Sequence, residues 1–177
     1  MNYDMTMKKK GFSLIELLVA IAIMATIMAF ALPNYLGARE RARDAKKKAE
    51  LTQLKTALRM YYNDYQSYPA TAACGGKPFS LSGCGASGTS CCPCSTSFDF
   101  AQGETCGIVY MKKYITTLTG MAYFSSTDGE VFCARIALEN RSDPDLSASQ
   151  LRCATACSSA THPQASCPTD NYCVCPD

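Results

Sequence analysis

An apolar run from Phe12 to Leu32, with Glu16 as its one charged residue, constrains this chain more than any other feature. The run directly follows a basic leader that ends in Lys8-Lys9-Lys10-Gly11. About 20 residues of α-helix rise roughly 30 Å, which matches the hydrocarbon core of a bilayer. We therefore expect a helix that crosses a membrane.

The position of Gly11 distinguishes this run from an ordinary secretory signal. Such a signal has a shorter apolar core, and its small-residue cleavage site lies after that core. Here the glycine comes first, so cleavage at Gly11 would leave the helix attached to the mature protein. Because an ionised carboxylate in hydrocarbon is costly, Glu16 indicates a functional role within the run.

The helical pattern continues beyond the apolar run. Pro33 predicts a kink or local opening, since proline lacks an N–H and clashes with the preceding turn. The helix is expected to run from Phe12 to Tyr68, because the residue before Pro69 avoids helical geometry. At 100° per residue, two stripes lie on nearly opposite faces: Ala38, Ala42, Ala45 and Ala49, and then Leu51, Leu54, Leu58, Tyr61 and Tyr65. The second stripe is predicted to pack on the globular part of the chain that follows the helix, residues 70–177, which we call the head. The alanines suit contact with another helix or simply raise helix propensity.

The rest of the chain predicts a small sheet. Strand patterns cover residues 107–110, 122–124 and 131–138, and Asp128-Gly129 predicts a turn before the last of them. The Gly- and Ser-rich stretch 74–106 is predicted to be a long loop, and the chain from Asn140 a turn-rich tail. The expected fold is α+β: a long N-terminal helix packed by its C-terminal half on a small antiparallel sheet, with disulfide-rich loops.

Twelve cysteines in 177 residues indicate a disulfide framework and an oxidising compartment. They fall into two sets, and we expect each set to pair internally, with Cys133 anchoring the tail to the sheet. The first set is Cys74, Cys84, Cys91, Cys92, Cys94 and Cys106, and the second is Cys133, Cys153, Cys157, Cys167, Cys173 and Cys175. The alternatives are a redox C-x-x-C motif and a zinc site that uses Cys91 and Cys94.

Charge is distributed unevenly along the chain. Residues 39–59 contain eight basic and three acidic residues, whereas residues 60–177 contain six basic and ten acidic ones. We call the basic segment 39–59 the stem. It is either a solvated helix face or a surface that is attracted to anionic lipid, or to the acidic heads of neighbouring subunits. Positive charge after the apolar run favours a cytoplasmic head. The cysteines favour the opposite side, and we give them precedence.

Gly11, Phe12 and Glu16 together resemble the class III signal of type IV prepilins and type II secretion pseudopilins. The resemblance implies cleavage after Gly11, N-methylation of Phe12 as the new terminus, and a role for Glu16 in assembly. Many such helices also carry a proline where Pro33 stands. We expect Glu16 of one subunit to pair with the cationic Phe12 terminus of its neighbour, which would set the register of a filament.

The resemblance is closest to the major pseudopilin group. It is carried by Leu32-Pro33-Asn34-Tyr35-Leu36-Gly37 and by the helix end from Tyr61 to Pro69, while residues 123–139 are similar to the sheet of pilin-like proteins. The implied organisation is a leader at 1–11, a transmembrane or filament-core helix at 12–33, an amphipathic helix at 34–69 and a disulfide-rich globular head at 70–177.

The function implied by the resemblance is that of a structural subunit of a pilus or pseudopilus. A pseudopilin driving type II protein export is favoured, and the alternatives are a type IV pilin for adhesion, motility or DNA uptake, or a membrane-anchored monomeric binding domain. The protein would sit in the bacterial inner membrane as a single-pass protein with a periplasmic head, and then in a periplasmic or extracellular filament.

The implied partners are copies of the chain itself, related pilin-like subunits, the prepilin peptidase that also methylates, the inner-membrane assembly platform and membrane lipid. Nucleic acid is expected only for a competence pilin. We expect no enzyme activity, since the one histidine, His162, lies in a polar tail. No cofactor is expected. Calcium is the alternative, with Asp128, Asp143, Asp145 and Glu139 as oxygen ligands, although the calcium loop of major pseudopilins is not recognisable.

Overall fold

A computed structural model describes residues 11–74, 77–94, 99–103, 106–112, 120–159 and 166–176. The chain divides into two compact units, Met1–Glu40 and Arg41–Asp177. The helices are α1 (Leu14–Tyr65) and α2 (Pro144–Ser159). The strands are β1 (Thr71–Cys74), β2 (Lys77–Cys84), β3 (Ser90–Cys91), β4 (Phe100–Gln102), β5 (Ile108–Met111), β6 (Ala122–Ser125), β7 (Phe132–Ala137) and β8 (Asn171–Val174).

Helix α1 agrees with the prediction to within three residues at each end. The helical backbone continues through Pro33, so this proline does not divide the helix in two. The helix ends where Gln66 adopts a left-handed conformation with φ of 52°, a common way for a helix to stop. The N–H of Gln66 still donates to the carbonyl oxygen of Tyr62, 2.8 Å away.

The strands form three small antiparallel sheets, ordered β1-β2-β3, β4-β5 and β6-β7-β8. The strands predicted at 107–110, 122–124 and 131–138 are present as β5, β6 and β7, and the α+β class is confirmed. In the third sheet Phe124 lies opposite Cys133, and Arg135 lies opposite Cys173. Strand β8 thus completes a sheet whose first strand, β6, begins 49 residues earlier in the chain.

Two predictions about irregular structure are wrong. The stretch predicted as a loop at 74–106 contains β2, β3 and β4, and the predicted tail contains α2 and β8. In both regions the strands or helix are tied to the rest of the unit by pairing and by disulfides, which local composition does not reveal.

The main core lies in the second unit and is built on the predicted stripe of α1. Leu51, Leu54 and Leu58 are completely buried, and Tyr61 is 7% exposed. They pack with aromatic side chains from the sheets, including Phe100, Tyr123 and Phe132. The alanine stripe is exposed along its whole length. A second, smaller core consists of Phe124 and five cysteines: Cys133, Cys153, Cys157, Cys173 and Cys175.

Five disulfides join cysteines within the two predicted sets and none of these five crosses between them. The bridges are Cys84–Cys92, Cys94–Cys106, Cys133–Cys157, Cys153–Cys175 and Cys167–Cys173. Cys91 is disulfide-bonded as well, and the side chain of Cys74 lies outside the described part of the chain. Cys133 joins β7 to α2, the position in which the sequence predicted an anchor for the tail.

Candidate assembly site

The N-terminus of α1 is capped by the side chain of Glu16. The Oε2 atom of Glu16 accepts a hydrogen bond from the backbone N–H of Ser13, at 3.0 Å. Ser13 precedes the first helical residue and Glu16 is the third residue of the helix, so the pair forms one half of a capping box. A carboxylate at this end also interacts favourably with the helix dipole. In a single chain, therefore, Glu16 already has a partner.

The apolar side chains in the described part of the first unit are exposed. Every large apolar residue from Phe12 to Leu32 is at least 50% exposed, and Phe12 itself is 88% exposed. Exposed apolar surface on this scale is typical of a protein or membrane interaction site. Among the described residues, α1 is the one helix long and apolar enough to cross a membrane. The arrangement can bury this surface in lipid or against other helices.

Glu16 is the exception on this apolar surface. It borders a shallow groove whose other walls are Ile15, Val19, Ala20 and Ile23. Covering this groove with an apolar partner would remove the carboxylate from water, at an effective cost of several kcal/mol unless a cation accompanies it. The groove therefore favours a partner that brings a positive charge to Glu16.

In the second unit a buried carboxylate joins α1 to the chain after β7. Asp44 is only 1% exposed. Its two oxygens accept hydrogen bonds from the backbone N–H groups of Glu139 and Asn140, at 2.9 and 2.8 Å. The ammonium of Lys47 lies 3.6 Å from the same carboxylate. A buried acid with two backbone donors and a cation is well satisfied.

Ion pairs surround this contact. Arg43 binds Glu139 through two guanidinium nitrogens, with the Nε atom 2.9 Å from Oε2, and Lys47 approaches Glu139 Oε1 at 3.2 Å. The hydrogen bond from Arg43, together with Lys47, lowers the pKa of Glu139 to about 2. The structure thus gives part of the basic stem acidic partners within its own chain.

The proposed calcium ligands do not form one group. Asp143 and Asp145 both bind the ammonium of Lys48, at 2.9 and 2.7 Å, and the hydrogen bond from Lys48 lowers the pKa of Asp143. Asp128 instead accepts hydrogen bonds in its own turn, from the Ser126 hydroxyl and the Glu130 N–H. Glu139 is bound by Arg43 as above. Within the described ranges, no three His, Cys, Asp or Glu residues are placed to hold a metal ion.

The other predicted site residues are placed as follows. Gly11 and Phe12 are exposed and precede the helix. Pro33 lies within α1, and its side chain is outside the described part of the structure. His162 and the leader before Gly11 fall outside the described residues. Cys91 lies in β3 and Cys94 is bonded to Cys106, so the C-x-x-C cysteines are used in disulfides.

Two features of this region were not predicted, although the sequence contains a signal for each. Ser13-x-x-Glu16 is the spacing of a capping box. Asp44 lies seven residues before Leu51, so it continues the buried stripe of α1 by two turns and has to be buried with it. An acid placed on an apolar stripe indicates a specific hydrogen-bonding partner.

Comparison with known proteins places similarity at the same end of the chain. Residues 6–32 match the family description "Prokaryotic N-terminal methylation motif". The chain is 38% identical over 64 residues to the type II secretion system core protein G of Vibrio cholerae. The aligned segment covers 36% of this chain and 44% of that protein. It is 36% identical over 66 residues to the Escherichia coli protein of the same name, covering 37% and 46% of the two chains.

A type IV pilus protein is similar over the same length. The type IV wide pilus major component of Thermus thermophilus is 45% identical over 64 residues, covering 36% of this chain and 49% of that protein. The chain therefore spans less than half the length of these curated relatives. No solved structure matches. The chain carries the N-methylation motif and is homologous, over about a third of its length, to pseudopilins and type IV pilins.

Proposed function

We propose that this chain is a structural subunit of a type II secretion pseudopilus. It is inserted in the bacterial inner membrane by α1, cleaved after Gly11, methylated on the new Phe12 terminus and polymerised through its apolar helix. Its head lies on the oxidising, periplasmic side. The prepilin peptidase, the inner-membrane assembly platform, related subunits and further copies of the chain are its partners. The protein works mechanically, without catalysis.

The observation that carries the proposal is the N-methylation motif on a helix whose apolar surface is uncovered. A lone membrane anchor needs an apolar helix, but it has no need for an acid on that surface. Glu16 is the one charged residue between Phe12 and Leu32. Cleavage after Gly11 would create a cationic terminus that a neighbouring subunit can present to it.

Glu16 therefore has two roles at different stages. In the free subunit its carboxylate caps α1 by accepting the Ser13 N–H. In the polymer, the carboxylate compensates the Phe12 terminus of the adjacent helix, so that subunits are added only where the two charges meet. Pairing offsets much of the desolvation cost that either charge would carry alone.

The variants Glu16→Gln and Glu16→Ala separate these two roles. Glutamine at this position still forms a capping box, but it has no charge, whereas alanine loses both properties. We expect both variants to insert in the membrane and to be processed at Gly11, as shown by N-terminal sequencing, but to reduce filament incorporation by at least tenfold. Sheared or cross-linked filaments, quantified by immunoblot, provide the measurement.

The control is Glu40→Gln, which removes an exposed acid from the same helix and should leave incorporation unchanged. Normal filaments from Glu16→Gln, with a defect in Glu16→Ala alone, would mean that capping rather than charge pairing is required. Normal filaments from both variants would contradict the assembly role of Glu16.

A type IV pilin is the second candidate, because the Thermus thermophilus relative is a pilus component and is 45% identical over the matched region. Deletion of the gene distinguishes the two functions. A pseudopilin deletion leaves exported proteins in the periplasm, whereas a type IV pilin deletion abolishes surface fibres and twitching or DNA uptake with export intact.

A further inference from the structure

The disulfides of the C-terminal part overlap along the chain. Cys133 is joined to Cys157, while Cys153, which lies between them, is joined to Cys175. A chain that emerges from the membrane side presents Cys133 first and Cys153 second. Pairing in order of emergence would therefore join Cys133 to Cys153, and neither native bridge would form.

The first cysteine set shows the same property. Cys84 is joined to Cys92 although Cys91 lies between them. Cys91 is itself disulfide-bonded, and residues 85–90 contain no cysteine. The bridge from Cys91 must therefore leave the interval between Cys84 and Cys92 and overlap it. Both halves of the head thus require bridges that skip a nearer thiol.

Burial limits when a wrong bridge can be corrected. The five sulfur-bearing side chains of the second core are each at most 1% exposed. Once this core has closed, a thiolate in solution has no access to them, and exchange needs an accessible sulfur. Exchange must therefore take place before α2 and β8 pack around Phe124.

We infer that the head is a substrate of thiol–disulfide isomerisation, and that a periplasmic-type oxidoreductase with a reactive dithiol is a required partner in its maturation. The enzyme thiolate attacks one sulfur of a non-native bridge, which forms a mixed disulfide and releases one thiolate of the chain. That thiolate attacks another bridge, and the last chain thiolate displaces the enzyme. The exchange is redox-neutral. A separate disulfide-donating oxidant removes two electrons and two protons for each bridge formed.

This inference rests on the part of the proposed function that places the head in an oxidising compartment. Its test uses purified components, so its outcome does not depend on whether the filament serves secretion. A chain that refolds correctly without an isomerase would overturn the inference and leave the pseudopilus proposal standing.

The experiment refolds the full-length chain in detergent after reduction and denaturation. Both samples receive the same mixture of oxidised and reduced glutathione, and one of them also receives a purified disulfide isomerase. Alkylation, proteolysis and tandem mass spectrometry give the fraction of chains with the Cys133–Cys157 bridge. We expect at least three times more of this bridge with the isomerase. Equal yields at equal rates would overturn the inference.

A double variant tests whether the overlap is the cause. Cys153→Ala with Cys175→Ala leaves no cysteine between Cys133 and Cys157, so the native bridge no longer has to skip a nearer thiol. We expect its yield to be equal with and without the isomerase. Because the measurement is the bridge itself, it does not require the variant to reach the native fold.

The matched control also removes one bridge but keeps the overlap. Cys167→Ala with Cys173→Ala deletes a bridge whose cysteines follow each other directly, so the isomerase should still raise the Cys133–Cys157 yield at least threefold. If the two double variants responded equally to the isomerase, the overlap would not explain the requirement, and the inference would be wrong.

Discussion

Asp44 is the residue on which the contact between α1 and the chain after β7 depends. Its carboxylate is almost fully buried and accepts the backbone N–H groups of Glu139 and Asn140. Asp44→Ala leaves both donors without an acceptor in a desolvated position. We expect the free energy of unfolding to fall by about 3 kcal/mol. Denaturant unfolding of the full-length protein in detergent, followed by tyrosine fluorescence, measures this loss.

The control for this variant is Glu40→Ala, which removes an exposed acid one turn earlier on the same helix. It should change the free energy of unfolding by less than about 0.5 kcal/mol. Losses of the same size in both variants would contradict the role assigned to Asp44.

Single residues of the candidate site differ in how far the sequence reveals them. Gly11, Phe12 and Glu16 form a contiguous pattern, so a short stretch of sequence is enough to predict them. The partners of Asp44 lie 95 and 96 residues away in the chain. No local pattern can identify such a contact, although the position of Asp44 on the leucine stripe predicts that it is buried.

At the scale of elements, the turn between β6 and β7 packs against the end of α1. Gly129 has φ of 72°, and its carbonyl accepts the N–H of Tyr68 at 2.7 Å. A Cβ at this position would lie 2.8 Å from the Cβ of Ser67. Gly129→Ala combines backbone strain with this clash, and we expect it to lower the free energy of unfolding by about 3 kcal/mol. Denaturant unfolding gives the value.

Gly120→Ala serves as the comparison. Gly120 also has a positive φ, of 93°, but a Cβ there meets no atom of the described residues within 4 Å. This variant should lose only the cost of backbone strain, about 1–2 kcal/mol. If the two substitutions were equally destabilising, Ser67 would not restrict the turn.

The elements that the sequence predicted correctly have local signals. Helix α1 has apolar periodicity and a proline just beyond its end, and the β6–β7 hairpin has an Asp-Gly turn. Strand β2 alternates apolar and polar residues only over four positions, Phe79 to Ser82, and this short signal is flanked by Pro78 and Gly83. Its pairing with β1 and β3 therefore decides its conformation. Helix α2 contains four serines and two cysteines, residues of modest helix propensity. Its buried side chains, Leu146, Ser149, Cys153 and Cys157, have helical spacing that the cysteine-rich composition obscured.

At the scale of the whole molecule, the ion pair between Arg43 and Glu139 makes the stability of the fold depend on pH. The hydrogen bond from Arg43 lowers the pKa of Glu139 from an ordinary 4.5 to about 2. A carboxyl whose pKa is lowered on folding stabilises the protein fully above its unfolded pKa, and the stabilisation is lost as pH falls through the folded pKa. We therefore expect stability to decrease between about pH 4.5 and pH 2. Denaturation midpoints measured across this interval test the prediction.

Glu139→Gln separates this contribution from that of the other acids. The variant should be less stable than the parent at pH 6, and the difference should shrink as the pH approaches 2. Added salt should weaken the effect, because the pair is partly exposed and is screened by mobile ions. A difference that stays constant from pH 6 to pH 2 would exclude the ion pair as its source.

The overlapping bridges also determine what a protease can do to the head. The Cys133–Cys157 and Cys153–Cys175 bridges together span every peptide bond from residue 133 to residue 175. A single cut anywhere in this interval leaves both pieces covalently joined, because at least one bridge passes over the cut. A nicked head would therefore keep β7, α2 and β8 in one covalent unit and lose no fragment from this interval.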